Sequence, residues 1–555
     1  MTIRRTTAMA VAVTLLLGAC AAPERNGGSQ LHTNAAEDVN RLDPAQLKDG
    51  GQLRWPVDEV PSNWNVFNVD GATGNNVLML SAMVPRTATQ KPDGSVVMNK
   101  DYVENAEVTS SDPLVVTYRL NPRAKWSDGR ALSWEDFDAQ AKALSGRAEG
   151  YRASTTTGYE DISKVERGSD DREVKITFAR RFAEWKALFN PLLPKTLNGT
   201  AEAFTKSWAD RPAVTAGPFK IGSIDPTGKV ITVVRDDSWW GARAKLDRIT
   251  FRVVERPALA DALANGAIDF YEVGASIDLF QRAKSIPGVV LRDAVTPQYN
   301  HLTFNGAASS ILADPALRSA IMGGVDASVI ARALIGGITN GAVKPAGNRM
   351  FPPGTKNYQD HSGLAPFNQD AAKSALDSLG WKLDGEYRAK DGKQLALRYV
   401  IPSPSAPNEQ VAKLVQSQLK QIGVKVDLTA VPSAEFLTKW VFTGNFDVTG
   451  FRWEVSPFPI SGAKPIFFLN PGNTSRNYGH IGSDTINKLF DEATAELDDG
   501  KRATLANRID EELWKLGHQQ PLYHQPGAVA VRSTIANLGA KGTGEWEYAS
   551  IGYTG

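Results

Sequence analysis

The stretch Leu114–Phe137 restricts the fold of this 555-residue chain more than any other. Leu114, Val116, Tyr118 and Leu120 alternate with Val115, Thr117 and Arg119, the period of a strand. Asn121-Pro122 ends that strand, because proline has no N–H for the ladder. Ser127-Asp128-Gly129 predicts a tight turn in which glycine takes positive φ. Ser133 then stands at a helix N-cap, with Asp136 three residues on to cover orphan N–H groups of the first turn. The stretch reads as strand, turn and capped helix.

The same mixture continues along the chain. Gly51–Trp55 predicts a first strand stopped by Pro56, and Asp70–Met83 a helix with Val77, Leu80 and Val84 on one face. Glu173–Phe178 alternates as a strand. Gly217-Pro218 is a hinge-like break before another strand. Ala371–Leu379 is a helix with Gly380 at its C-terminal end. Val411, Leu414, Val415, Gln418, Leu419 and Ile422 mark one helix face, closed by Gly423 and followed by an alternating strand from Val424 to Ala430. Asp484–Lys515 is helical, and Val529–Val531 is the last strand. These units give an α/β fold class, and the length requires two or three domains.

The order of residues from Lys125 to Phe137, Lys-Trp-Ser-Asp-Gly-Arg-Ala-Leu-Ser-Trp-Glu-Asp-Phe, resembles the signature of the family 5 extracellular solute-binding proteins, the dipeptide- and oligopeptide-binding proteins of ABC importers. Thr215–Ile221, the loop Asp236–Gly241 between two strands, Gly266–Asp269, Leu317–Ile321 and Pro521–Tyr523 resemble further family segments. The resemblance spans about residues 50–550. It implies a two-lobed periplasmic-binding-protein-like fold with hinge crossovers near Gly217 and Leu302–Asn305, and an additional third domain. The expected boundaries are 49–82, 217–301 and 522–555 for domain I, 83–216 for domain II, and 302–521 for domain III, the second lobe.

The N-terminus has its own logic. Arg4 and Arg5, the apolar run Ala8–Leu17 and Leu17-Gly18-Ala19-Cys20 read as a signal peptide of residues 1–19, too short to span a bilayer. The last four residues resemble a lipobox, which implies lipidation of Cys20 and anchoring to the extracytoplasmic face of the membrane. Cys20 is the only cysteine, so no disulfide and no cysteine-based metal site forms within one chain. Residues 20–48 are polar and read as a flexible tether. The net charge is +1, and removing residues 1–19 leaves the chain near neutral, with no electrostatic case for nucleic acid.

No Gly-x-x-x-x-Gly-Lys-Ser/Thr loop, His-Glu-x-x-His or Gly-x-Ser-x-Gly occurs. The six histidines lack metal-ligand spacing. Ser417-Gln418-Leu419-Lys420 matches Ser-x-x-Lys without its companion motifs, a coincidence on a helix surface. No enzyme, cofactor or metal is expected. The resemblance implies a monomeric binder of a peptide or similar solute, partnered by ABC permease subunits. A cell-envelope lipoprotein that senses a ligand or regulates wall or glycolipid assembly is the alternative.

Candidate ligand residues follow from the resemblance. Peptide-binding relatives carry Trp-x-x-Asp, whose aspartate receives the peptide's α-amino group. Here the register gives Phe451, Arg452, Trp453 and Glu454, with Glu454 as the carboxylate. Arg452 could instead pair with Glu454 and cancel it, Glu454 could be a surface charge, and an alternative register puts Ser456 after Trp453 and leaves no acid. Pro457, Phe458 and Pro459 stiffen the following loop. Trp64 and Asn65 lie in a loop that borders the cleft in the family, and Asn477 and Tyr478 in a segment near it.

Overall fold

The computed structural model describes residues 36–470 and 476–555. The expected signal peptide and Cys20 lie outside them. Among the described residues no helix is long and apolar enough to cross a membrane.

The opening stretch folds as its local chemistry dictates. Leu114–Leu120 is a strand with every second residue buried, Gly129 takes φ +88°, and Trp134–Leu144 is a helix behind Ser133. Asp136 ties the pieces together. Its buried carboxylate accepts from Ser133 N at 3.2 Å, Trp126 Nε1 at 3.1 Å, Arg130 Nη1 at 3.3 Å and Lys195 N at 2.8 Å. The strand belongs to a four-stranded sheet in the order Val103–Ser111, Leu114–Leu120, Glu173–Phe178, Ile162–Arg167. That sheet has its own apolar core around Tyr118, Trp126, Phe137 and Phe189.

A second core joins two sheets. One runs Gln52–Val57, Arg248–Val253, Val230–Arg235, Phe219–Asp225; the other runs Phe270–Glu272, Val529–Arg532, Val289–Arg292. Pro56 does not stop the first strand as expected. That strand is the edge of its sheet, pairing only with Arg248–Val253, so a missing N–H on the open side is tolerated. Ala216 N donates to Met83 O at 2.8 Å and Phe219 N to Ala82 O at 3.1 Å, so the two chain passages between these bodies lie side by side. Gly217 is required there: a Cβ would fall 2.7 Å from Ala82 O.

The second lobe is built on a five-stranded sheet, Lys425–Pro432, Ala396–Ser403, Val448–Glu454, Val295–Phe304, Gln519–Pro526, with a core on each face. The antiparallel pair Val289–Arg292 and Val529–Arg532 continues into the pair Val295–Phe304 and Gln519–Pro526. Both chains therefore cross between sheets at 293–294 and 527–528. Of the expected crossover Leu302–Asn305, Leu302–Phe304 lie inside the five-stranded sheet instead. A strand that continues across a domain boundary gives no periodicity signal at the boundary.

Other expectations shift by smaller amounts. Part of the expected tether is packed: Asp38 N donates to Ala540 O at 2.7 Å, Pro44–Gln46 forms a 3-10 turn, and Val39 and Leu47 are buried. Two apolar anchors suffice to dock a stretch that its polar composition marks as loose. The helix Gly74–Leu80 buries Met79 and Leu80 and exposes Val77, so its inward face is rotated from the expected one. Asp484–Lys515 is two helices, Asp484–Ala495 and Asp499–Lys515, the second capped by Asp498. Lys420 pairs with Glu386 at 2.8 Å on a helix surface, away from any nucleophile chemistry.

Candidate functional site

Val448–Glu454 is the strand on which the candidate site stands. Its alternation places Phe451 and Trp453 on one face and Arg452 and Glu454 on the other. Across the ladder, Phe451 faces His301, Arg452 faces Asn300, Trp453 faces Tyr299 and Glu454 faces Gln298. On its other side the strand pairs with Ala396–Ser403 only at Val448 and Thr449. Among the described residues, the edge from Gly450 to Glu454 has no strand partner there. Unpaired backbone on a strand edge is a template for an extended chain.

Glu454 is exposed, and its Oε2 accepts from Gln298 Nε2 at 3.3 Å. No ion pair joins it to Arg452. Glu272, at the end of a strand of the first lobe, is in electrostatic reach of Glu454, Lys541, Arg256 and Arg452. Its side chain contacts water but is walled in by protein, and this partial burial raises its carboxyl above the ordinary value. Arg256 beside it is pushed down, again mainly by burial, while its guanidinium donates to Val273 O. Glu272 of the first lobe thus lies in the electrostatic field of Glu454 and Arg452 of the second.

The opposite face of the strand is an aromatic wall. Phe442 stacks on Tyr478 at 5.0 Å, Tyr478 on Trp453 at 5.9 Å, and Trp453 on His301 at 6.0 Å with the rings 5° apart. Phe451 meets Trp453 edge-on at 5.2 Å. Arg476 lies over the Trp453 ring at 4.6 Å, a cation–π contact. The wall runs from Phe442, exposed to 49%, to His301, exposed to 1%. Burial pushes the His301 imidazole down to about 3, so it is neutral, and its Nε2 bonds Thr303 Oγ1 at 2.9 Å.

Four candidate residues thus share one strand, and Tyr478 joins them. The other three do not. Trp64 is buried in the core and donates through Nε1 to Asp210 O at 3.1 Å. Asn65 donates to Phe204 O and accepts from Phe67 N, so it braces its own loop. Asn477 is buried and holds the turn to Ile481 O at 2.8 Å. A loop's position beside a cleft does not tell which way its side chains point. Arg476, next to Asn477, is the member of that segment that reaches the wall.

Behind the wall, Arg349 and Asp510 form a fully buried pair at 3.0 Å. Asp510 Oδ1 also accepts from Arg349 N at 3.0 Å, and Arg349 Nη2 donates to Gln519 O at 2.6 Å. The pair fastens the long loop before Ser362 to the helix Asp499–Lys515. Among the described residues no group of histidine, cysteine and acidic side chains could hold a metal ion.

Comparison with known proteins agrees with this architecture. Residues 83–479 match the model of the bacterial extracellular solute-binding proteins, family 5 Middle. The oligopeptide-binding protein OppA of Mycobacterium tuberculosis is 40% identical over 519 residues, covering 93% of this chain and 87% of that protein. The probable monoacyl phosphatidylinositol tetramannoside-binding protein LpqW of M. tuberculosis is 24% identical over 432 residues, 71% of this chain and 66% of that protein. Among solved structures, the periplasmic EDTA-binding protein EppA matches with a TM-score of 0.85 at 25% identity, over 94% of this chain and 100% of its own. The oligopeptide-binding protein AppA of Bacillus subtilis, in complex with a nonapeptide, matches with a TM-score of 0.75 at 18% identity, over 92% of this chain and 100% of its own.

Proposed function

This chain belongs to the bacterial extracellular solute-binding proteins of family 5, and we propose that it captures oligopeptides between its lobes and delivers them to an ABC permease from the outer face of the membrane, held there through Cys20. The unpaired edge of Gly450–Glu454 carries the reading. A peptide laid along that edge gains main-chain hydrogen bonds that do not depend on its sequence. Its amino terminus falls to the exposed carboxylate of Glu454, and an ammonium–carboxylate bond is among the stronger hydrogen bonds. The half-buried Phe451 and Tyr478, with Arg476, offer apolar and cationic surface to side chains, while Trp453 packs behind them in the core, and Arg452 supplies positive charge beside the acid. The expected domain boundaries 49–82 with 217–301 and 522–555, 83–216, and 302–521 accompany this reading, with the two crossings between lobes moved to 293–294 and 527–528.

Calorimetry with a short oligopeptide and its Nα-acetylated form, on the wild type and Glu454→Gln, tests it. With the bound peptide covering Glu454 and excluding water from the contact, each single change is expected to cost about 2–5 kcal/mol, the range for truncating one partner of a buried charge pair. Together they are expected to cost little more than either alone, because both remove the same contact. Full affinity for the acetylated peptide would remove the amine-reading role.

The similarity to LpqW motivates a second reading: a cell-envelope lipoprotein of the same fold that senses a ligand or regulates glycolipid or wall assembly. Native mass spectrometry of protein purified without denaturation separates the two, because a co-purified peptide mixture supports import and a single glycolipid supports regulation. Permease and ATPase genes beside this one would favour import.

A further inference from the structure

The two lobes touch at a point that no ligand is needed to form. Glu184 follows Phe182 and Ala183 out of the four-stranded-sheet body and precedes Trp185, whose ring is buried in that body's core. Its carboxylate reaches the second lobe. Oε1 accepts from Ile460 N at 3.0 Å, and Oε2 accepts from Ser461 N at 2.7 Å and from Ser461 Oγ at 2.6 Å. These donors are in the first turn of the helix Pro459–Phe467, where backbone N–H groups have no intrahelical partners. Glu184 is 6% exposed although it belongs to no core of the second lobe. One residue away, Ala183 N donates to Thr494 O at 2.8 Å.

Around this contact the bodies are not continuously packed. An open groove of about 700 Å³ lies beside it, lined by Arg181 on one side and Glu492, Leu497, Lys501 and Leu505 on the other. Three charge-assisted hydrogen bonds therefore concentrate at one carboxylate. The helix they hold begins five residues after Glu454, and Ile460, Ala463 and Ile466 pack in the same core as Trp453.

We infer that Glu184 is a closing residue: it clasps the second lobe's helix Pro459–Phe467 to the first lobe, and so sets the fraction of closed protein without touching the ligand. This goes beyond the peptide reading, because it governs closure for any occupant. Losing the clasp lowers affinity for all ligands by one common factor, since an occupant that needs the closed form binds in proportion to its population.

The test is a distance distribution between spin labels at Lys142→Cys and Lys488→Cys, both exposed, in a full chain carrying Cys20→Ala and no ligand. With Glu184 intact, a short distance is expected to dominate. Glu184→Ala is expected to raise the open-to-closed ratio about tenfold or more, the size expected of hydrogen bonds to a charged group. Ser461→Ala keeps both backbone donors and is expected to open the protein less. Should Glu184→Ala not fold, Glu184→Gln preserves its volume and is expected to open the protein between those two. A merely structural Glu184 would lower the thermal midpoint and leave the distances unchanged. Identical distances in all variants, or an open distance in the parent without ligand, would overturn the inference. Because no ligand is present, failure here leaves the peptide assignment standing, and failure of that assignment leaves the clasp standing.

Discussion

His361 Nδ1 lies 2.8 Å from Asp510 Oδ2, on the far side of the carboxylate from Arg349. One buried acid thus serves an arginine and a histidine, and a loop of the second lobe is pinned by both.

The hydrogen bond to Asp510 raises the His361 imidazole above its ordinary value of 6.5. A raised folded-state value stabilises the protein fully below the unfolded value, and the benefit is lost as pH rises through the folded one. His361→Ala is therefore expected to lose more stability at about pH 5.5 than at about pH 8.5, on either side of the ordinary histidine range. Urea denaturation of both proteins at the two pH values measures it; an equal loss at both would contradict the assignment.

Asp510→Ala is a harsher change. It leaves Arg349 as an uncompensated buried charge, and about 3–5 kcal/mol of stability is expected to go. Changes of that size move a denaturation midpoint visibly, and a loss under 1 kcal/mol, about the worth of one ordinary hydrogen bond, would be inconsistent with the pair.

The hub at Asp136 predicts an ordering. Trp126→Phe removes one donor of four and is expected to cost about 1 kcal/mol. Asp136→Ala strands Ser133 N, Lys195 N and the Trp126 indole together, each at about 1–3 kcal/mol if left unpaired. Stability measurements that rank Trp126→Phe as the worse variant would refute the hub.

Gly217→Ala places a methyl 2.7 Å from Ala82 O, where two backbones run side by side. Overpacking of this kind costs about 1–3 kcal/mol. Thermal unfolding is expected to show the loss, and a neutral outcome would mean that the two passages can separate freely.

The anchor is a prediction from sequence alone. The mature protein is expected to begin at Cys20 and to enter the detergent phase on phase partition, and Cys20→Ala to move it to the aqueous phase. A Cys20→Ala protein still recovered with membranes would refute the lipobox reading.

What could be read in the sequence was local. Leu114–Phe137 encodes a strand, a positive-φ turn and a capped helix in consecutive residues, so each rule acts on its own neighbours. The helix ends at Gly380 and Gly423 were legible for the same reason, both with positive φ. Phe451, Trp453 and Glu454 came from the resemblance, and period-two alternation then assigned their faces. Trp64, Asn65 and Asn477 lie buried away from the strand of Glu454, a placement the sequence did not reveal because a side chain bracing its own loop and one facing a ligand have the same sequence context. Glu184 and Asp510 left no trace, since their partners lie 277 and 161 residues away. Nothing in the pattern around Glu184 distinguishes a clasp from a surface acid.

The strand Val529–Arg532 sits between Phe270–Glu272 and Val289–Arg292 in its sheet. Those two earlier strands have no ladder with each other and meet only through this late arrival. During synthesis or export they emerge long before their common partner does. The first lobe therefore stays incomplete, with open sheet edges, until the whole second lobe and the tail behind it have come through. A chain stopped just short of Val529 is the species most exposed to proteases and to edge-to-edge aggregation.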